Sequence, residues 1–308
     1  MPTLWDDHMR EAVRVDVASG GEARAGGAVG VRMSIRVLAS SSSGNCSVVT
    51  VTRGGGGGAG GERSRFLVDA GLSPRRTRRL MEESGIDLKE VRGILYTHLD
   101  ADHCHAGWVS VLPAGAWMRV HRTHQRRARS IGLDRRKITA FDGEAFEVVE
   151  GVVATPVMMA HDGLGVAAFR FDTGGAGAGS LGYATDCGRV TRGLVDTLAG
   201  VDTLAIESNY CPFMQESSGR PEFLKRRIMG GAGHLSNQEC AKAVRHIRPR
   251  EHVVLLHLSR QCNTPERASE HHAEAGYGLT VAMHDRATEE IGVGRPSTEH
   301  KTQSTEHR

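Results

Sequence analysis

No apolar run in this 308-residue chain approaches the length of a membrane-crossing helix, which needs about 18 or more such residues. The opening stretch, MPTLWDDHMREAVRVDVASG, lacks the basic start and apolar core of a secretory signal, so a soluble, cytoplasmic protein is expected. Cysteines are few and scattered (Cys46, Cys104, Cys187, Cys211, Cys240, Cys262), with no CxxC pair. That pattern excludes a disulfide frame and reads as reduced thiols. Aromatic residues make up only 5%, which leaves few platforms for stacking on bases. Net charge is small, since 39 Lys and Arg nearly balance 36 Asp and Glu: the net value is +3 with His neutral, so bulk charge does not announce a nucleic-acid binder. What the chain does have is 39% hydrophobic residues, enough for a full core, and 16 histidines, many for this length.

Residues 1–32 are polar, rich in Gly and Ala and weakly periodic, and read as a loose extension. From Met33 the pattern sharpens. IRVLA and CSVVTV read as strands flanking the turn-rich SSSSGN, and RFLVDAG is another strand. GGGGGAGG (54–61) and GGAGAGS (174–180) read as glycine-rich hairpin tips; the first has neither the spacing nor the Lys of a phosphate-binding loop. PRRTRRLMEESG (74–85) has Pro near its start and Gly past its end, as helices do. VRGILYTH, WMRVH, AFEVV, VVATPVMMA, VAAFRF, SLGYATD, TLAIES and HVVLLHLS read as further strands, with helices at 191–199, 221–230 and 236–246. Two β-rich halves, each followed by helices, predict a layered α/β body. One domain is expected at 33–292, with a disordered polar tail at 293–308.

The chemistry-bearing side chains sit where strands end. Tyr96-Thr97-His98-Leu99-Asp100-Ala101-Asp102-His103 directly follows a buried strand and packs four potential metal ligands, His98, Asp100, Asp102 and His103, into one tight turn. Three later strands also end on ligand types: MMAHD at His161, YATD at Asp186 and LLHLS at His257. A lone His at a strand end is commonly just hydrogen-bonded. Imidazoles and carboxylates recurring together suit Zn, Mn or Fe, and a carboxylate such as Asp186 is able to bridge two cations.

The run from Thr97 to Gly107, with His, Asp and His following in order, resembles the signature of the metallo-β-lactamase superfamily. SSSSGNC, FLVDAG, ATDCG, ESNYC, LKRRI, GHLSN and HLSRQCN resemble its WalJ/YycJ-like branch of bacterial DNA exonucleases or cyclic phosphodiesterases, over roughly residues 33–265. The resemblance implies a four-layer αββα sandwich with two divalent metal ions at one edge. It implies His98, Asp100 and His161 on the first metal and Asp102, His103 and His257 on the second, with Asp186 between them. It also implies a water held as hydroxide between the metals for attack on phosphorus, with Asp102 counted as a catalytic candidate. Asp69, ending FLVDAG, would orient a histidine or a loop.

The superfamily usually has His where this chain has Asp100. The extra carboxylate hardens the first site and shifts preference from Zn towards Mn or Fe; the alternative is a weak or absent first metal. His234, in GGAGHLSNQE, is the second catalytic candidate, placed as the histidine that contacts the scissile phosphate or protonates the leaving oxygen in related phosphodiesterases. A surface loop histidine is the plain alternative. Ser236 or Asn237 would cap the next helix, with Glu239 completing a capping box. SSSSGN offers backbone N–H groups to a phosphate or is simply a turn.

Basic runs occur at RRTRR (75–79), HRTHQRRAR (121–129), RRK (135–137) and LKRR (224–227). They would suit a nucleic-acid backbone if they share a face with the site, and a solvated helix face otherwise. The expected function is a phosphodiester hydrolase, foremost a nuclease acting exonucleolytically on DNA. A small-molecule cyclic phosphodiesterase and a metal-free binding or regulatory member of the fold remain the alternatives. A missing export signal argues against a β-lactamase.

Overall fold

The computed structural model of the chain describes residues 30–54, 61–133, 138–175, 178–273 and 275–294. The expected extension before residue 30, the tail after 294, the RRK run and most of the first glycine tip lie outside the described residues.

Apolar runs that are buried on both sides make strands, and here they form two seven-stranded sheets. The first contains β1 (Val31–Ala39), β2 (Cys46–Arg53), β3 (Glu62–Val68), β4 (Val91–Leu95), β5 (Trp117–His121) and β6 (Ile138–Phe141). The second contains β7 (Phe146–Val149), β8 (Val152–Met159), β9 (Val166–Thr173), β10 (Ser180–Ala184), β11 (Thr203–Glu207), β12 (His252–Leu256) and β13 (Gly278–Val281). A last strand, β14 (Ile291–Val293), returns to pair antiparallel with β1 of the first sheet. The sheets thus take in Val31, Arg32 and Val293, just outside the expected limits of 33 and 292.

Each sheet is antiparallel in its early part and parallel in its later part: β3 to β6 in one, β10 to β13 in the other. Parallel neighbours need crossovers. These carry α1 (Pro74–Glu83), α2 (Trp108–Val111) and α3 (Gln125–Ser130) in the first half. The second half carries α4 (Arg192–Leu198), α5 (Pro212–Ser217), α6 (Glu222–Met229), α7 (Asn237–Ile247) and α8 (Pro265–Ser269). The expected caps are present. Ser73 accepts from the Arg76 N–H ahead of Pro74, and Ser236 and Glu239 form the capping box of α7.

Alternation along the strands sorts side chains into three cores. Phe66 and Val68 point between the sheets while Leu67 points to the helix side, and Val254 and Leu256 part in the same way from Val253 and Leu255. The central core contains Ile35, Phe66, Phe169 and Phe171. One outer core packs Leu80, Met81 and Trp108 on the first sheet; the other packs Leu194, Val244 and Ile247 on the second. Helices, two sheets and helices give the αββα layering. Among the described residues no helix is long and apolar enough to cross a membrane.

Phe169 is fully buried between the sheets, whereas Val153 on β8 is 42% exposed. Denaturant titration of Phe169→Ala is expected to show a loss of about 3–5 kcal/mol, and Val153→Ala a change within about 0.5 kcal/mol.

Candidate metal centre

Parallel strands deliver their loops at their C-terminal ends, and both sheets present those ends to one cleft. Asp69 follows β3, the His98–His103 turn follows β4, and His161 lies just beyond β8. Asp186 follows β10, Glu207 ends β11 and His257 follows β12. Asp69 (φ 59°), Asp186 (φ 53°) and His257 (φ 56°) are all left-handed. A non-glycine residue held there costs about 1–2 kcal/mol, and it turns each side chain sharply off its strand.

Backbone bonds lash the turn after β4 to its neighbours. The Ala70 N–H donates to His103 O, the His105 N–H to Ala70 O, and the Asn45 N–H to Asp102 O at 2.7 Å. Gly71 permits this approach, because a Cβ there would overlap Asp102 O. The Ser40–Asn45 segment is a turn braced by the Asn45 side chain, whose Oδ1 accepts from the Ser40 hydroxyl and the Ser41 N–H. Its amide nitrogen lies 3.0 Å from His103 Nε2.

Four imidazoles share one arrangement: Nδ1 is tied to the protein and Nε2 points towards Asp100 or Asp102. His103 Nδ1–H donates to Asp69 Oδ2 at 2.8 Å, and His161 Nδ1–H to Gly233 O at 3.2 Å. His257 Nδ1–H donates to Glu207 Oε1 at 3.0 Å. The Thr97 hydroxyl donates to the Asp69 carboxylate, so its lone pair accepts the Nδ1–H of His98 at 3.0 Å. That leaves His98 Nε2 as a bare lone pair, buried and without a hydrogen-bond partner.

The Nε2 atoms converge with carboxylate oxygens. Asp102 Oδ2 lies 3.3 Å from His257 Nε2 and 3.6 Å from His103 Nε2. Asp100 Oδ2 lies 3.8 Å from His98 Nε2 and 4.0 Å from His161 Nε2. Asp186 stands between these sets, with Oδ2 2.9 Å from His103 Nε2 and Oδ1 3.9 Å from His161 Nε2. A cation with bonds of about 2.1 Å holds tetrahedral donors about 3.4 Å apart, so the spacings fit divalent ions. The orphaned His98 lone pair fits them too. Asp100 presents one oxygen to this cluster and gives the other to Arg127 of α3 at 2.8 Å. All seven expected ligand residues therefore share one site.

His234 also reaches the cleft. Its Nδ1 lies 2.8 Å from Glu207 Oε1 and 3.5 Å from Asp186 Oδ1. Asn237 instead turns inward, accepting from the Ser208 hydroxyl and donating to Asn263.

Glu207 was not among the expected site residues, although TLAIES is another apolar strand ending on an acid. It is fully buried and also accepts from the Cys187 and Leu235 N–H groups, tying together the loops that carry Asp186 and His234. Asp162 (φ 42°) is a further unexpected acid at the rim, within reach of Asp100 and His161.

Burial disfavours every charge here, and the partners decide the outcome. It opposes protonation of His257, but Asp186, Asp102 and Glu207 outweigh it and raise the pKa to about 10. His103 likewise sits well above the ordinary imidazole value, with Asp186 and Asp69 overcoming burial. Asp186 is held well below the usual carboxylate range against burial by His257 and His103. His98 is pushed well down by burial and by the nearby His103 charge, and stays neutral.

The cleft measures about 350 Å³. Asp100, Asp102, His161, Asp186, His234 and His257 line it together with Asn209, Arg220, Leu224, Arg227 and Gln261. Two of the basic runs therefore reach this face, through Arg127 and Arg227, whereas RRTRR lies on α1.

A family model described as a beta-lactamase superfamily domain matches residues 64–258. The chain is 29% identical over 262 residues to exodeoxyribonuclease YycJ of Bacillus anthracis, covering 81% of this chain and 93% of that one. It is 28% identical over 242 residues to exodeoxyribonuclease WalJ of Streptococcus pneumoniae, covering 75% and 84%. Among solved structures the fold is similar to a diphosphatase from the PhnP family (TM-score 0.60, 18% identity, 86% of this chain and 100% of that one). It is also similar to the short form of human tRNase Z (TM-score 0.57, 15% identity, 83% and 98%).

Two outcomes are expected. With His257 at about 10 and His103 raised, the metal-free site carries protons at neutral pH that a cation must displace. Affinity for Mn or Zn should then rise with pH. Calorimetric titration near pH 7 in two buffers of different ionisation enthalpy should show proton release; equal heats would contradict it. Glu207→Gln keeps the shape but loses the charge that orients His257 and His234. Competition against a chelator should show affinity about 10- to 100-fold weaker.

Proposed function

The chain belongs to the beta-lactamase superfamily, and from that premise we propose that it hydrolyses phosphodiesters with two bound divalent cations, as an exonuclease on DNA. The observation that carries this reading is the set of four imidazoles whose Nδ1 atoms are tied back while their Nε2 atoms converge with Asp100, Asp102 and Asp186. His98, Asp100 and His161 would hold one cation and Asp102, His103 and His257 the other, with Asp186 shared. Bound there, the cations would polarise a phosphoryl oxygen and make a water acidic enough to attack near neutral pH. A mixed set of nitrogen and carboxylate oxygen donors suits Mn or Fe as well as Zn.

The chain's own groups do the rest. Asp69 and Glu207 fix the tautomer and aim of His103 and His257, so no reorganisation is needed when substrate arrives. Arg127 occupies one oxygen of Asp100 and leaves the other as a donor, so Asp at this position retains a ligand atom. Glu207 holds the His234 ring by Nδ1 beside the donor set, where its other nitrogen delivers a proton to the leaving oxygen. DNA as the substrate draws support from the names of the two curated relatives and from the arginines around the cleft.

The test is metal content together with hydrolysis of bis-(p-nitrophenyl) phosphate under Mn, Zn or Fe. Wild type should carry two equivalents and turn over the diester. His103→Ala should lose metal and activity together. His234→Ala should keep its metal and lose about 10²- to 10⁴-fold in kcat. End-labelled linear DNA should be shortened from an end while closed circular DNA survives. A protein that takes up no stoichiometric metal and cleaves nothing with any of the three ions would overturn the reading.

A further inference from the structure

Three arginines approach the cleft, and their partners differ. Arg127 is neutralised by Asp100 at 2.8 Å. Arg227 is neutralised by Asp162, through Nη2 at 2.6 Å and Nε at 3.3 Å. Arg220 has only neutral partners. Its Nε–H donates to Gln261 Oε1 at 3.1 Å, Nη1 to Gln215 Oε1 at 3.0 Å and Nη2 to Ser259 Oγ at 3.3 Å. Among the described residues it makes no ion pair. Three of its five N–H groups are used, which leaves one on each terminal nitrogen.

This guanidinium is held in place as well as uncompensated. Gln215 is fully buried. Ser259 donates its N–H to Asn209 O, and Asn209 in turn donates to His257 O at 2.7 Å. Arg220 is thus braced against the loop that carries His257, yet it makes no hydrogen bond or ion pair to the carboxylates or imidazoles of the donor set. A half-buried cation fixed by neutral dipoles keeps its charge for an incoming anion, and its remaining fork of donors matches a phosphate. Arg220, Ser259 and Gln261 line the same cleft as the donor set, and none of the Arg220 contacts is to a member of that set.

We infer that Arg220 is the subsite for a second phosphate, the one that flanks the scissile diester in a polynucleotide. The inference rests on the phosphodiesterase reading and deepens it, since a substrate with one phosphate cannot use this subsite.

The experiment compares wild type, Arg220→Ala and Arg220→Lys. One readout is fluorescence anisotropy of a 5′-fluorescein oligothymidylate in chelator, over a range of salt. The other is the ratio of kcat/KM on that oligonucleotide to kcat/KM on bis-(p-nitrophenyl) phosphate with metal. Metal content is checked in each variant. Arg220→Ala should bind the oligonucleotide about tenfold more weakly, with the log–log salt slope shallower by about 0.7. Its kcat/KM ratio should fall about tenfold, and Arg220→Lys should recover part of both. A methylphosphonate at the linkage next to the terminal one should reproduce the loss in wild type and add little in Arg220→Ala. Unchanged oligonucleotide affinity in Arg220→Ala, or equal losses on both substrates, would overturn the subsite. If wild type cleaves neither substrate while Arg220→Ala still loses oligonucleotide affinity, the subsite stands and the hydrolase reading falls.

Discussion

A carboxylate taken out of water must receive its hydrogen bonds from the protein, and two such groups organise this molecule. Asp69, at the end of β3, accepts the Thr97 N–H, the Thr97 hydroxyl and His103 Nδ1–H. Glu207, at the end of β11, accepts the Cys187 and Leu235 N–H groups, with His234 and His257 on its other oxygen. Each serves the loops of its own sheet, and the two act alike. Burial raises the cost of each charge, so each carboxylate holds its partners firmly. Those partners are the imidazoles that face one another across the seam between the sheets. Removing either carboxylate would leave buried donors unmatched and release the rings they aim.

The same requirement explains the backbone. A side chain at the end of a strand normally continues the in-and-out alternation of that strand. Left-handed turns at Asp69, Asp186 and His257 break the alternation so that groups from parallel strands meet above the sheet edge. Asp, Asn and His tolerate this conformation better than other side chains do. The strain sits where the chemistry needs it and is offset by the cores on either side of each sheet.

Much of this was legible beforehand, because the parallel strands are buried on both faces and therefore read as unbroken apolar runs. Where such a run ended on His or Asp, the ending marked the site: MMAHD, YATD and LLHLS each place a donor in the cleft. Glu207 carried the same signal in TLAIES, but the resemblance that singled out Asp186 names no residue there. β6, β13 and β14 were not visible: ITAF, GLTV and IGV are short and only partly buried, so they lack a run. The pairing of Asp100 with Arg127 depends on where α3 lands, which no spacing encodes. The Ser40–Asn45 segment left two readings open; it is a turn braced by the side chain of Asn45, and its Ser42 lines the cleft.

The donor set is divided between the halves of the chain. The turn after β4 belongs to the first sheet, while His161, Asp186 and His257 come from the second. These contacts join residues far apart in sequence, so they form late in folding, after the slow closure of long loops. During synthesis the β1–β6 part of the first sheet leaves the ribosome well before His257, and only β14 of that sheet comes later. A cation captured at that stage would meet the turn of the first sheet without its opposite wall. Full occupancy must therefore wait for the two sheets to dock, and a loaded centre would report that β12, the strand that delivers His257, has taken its place.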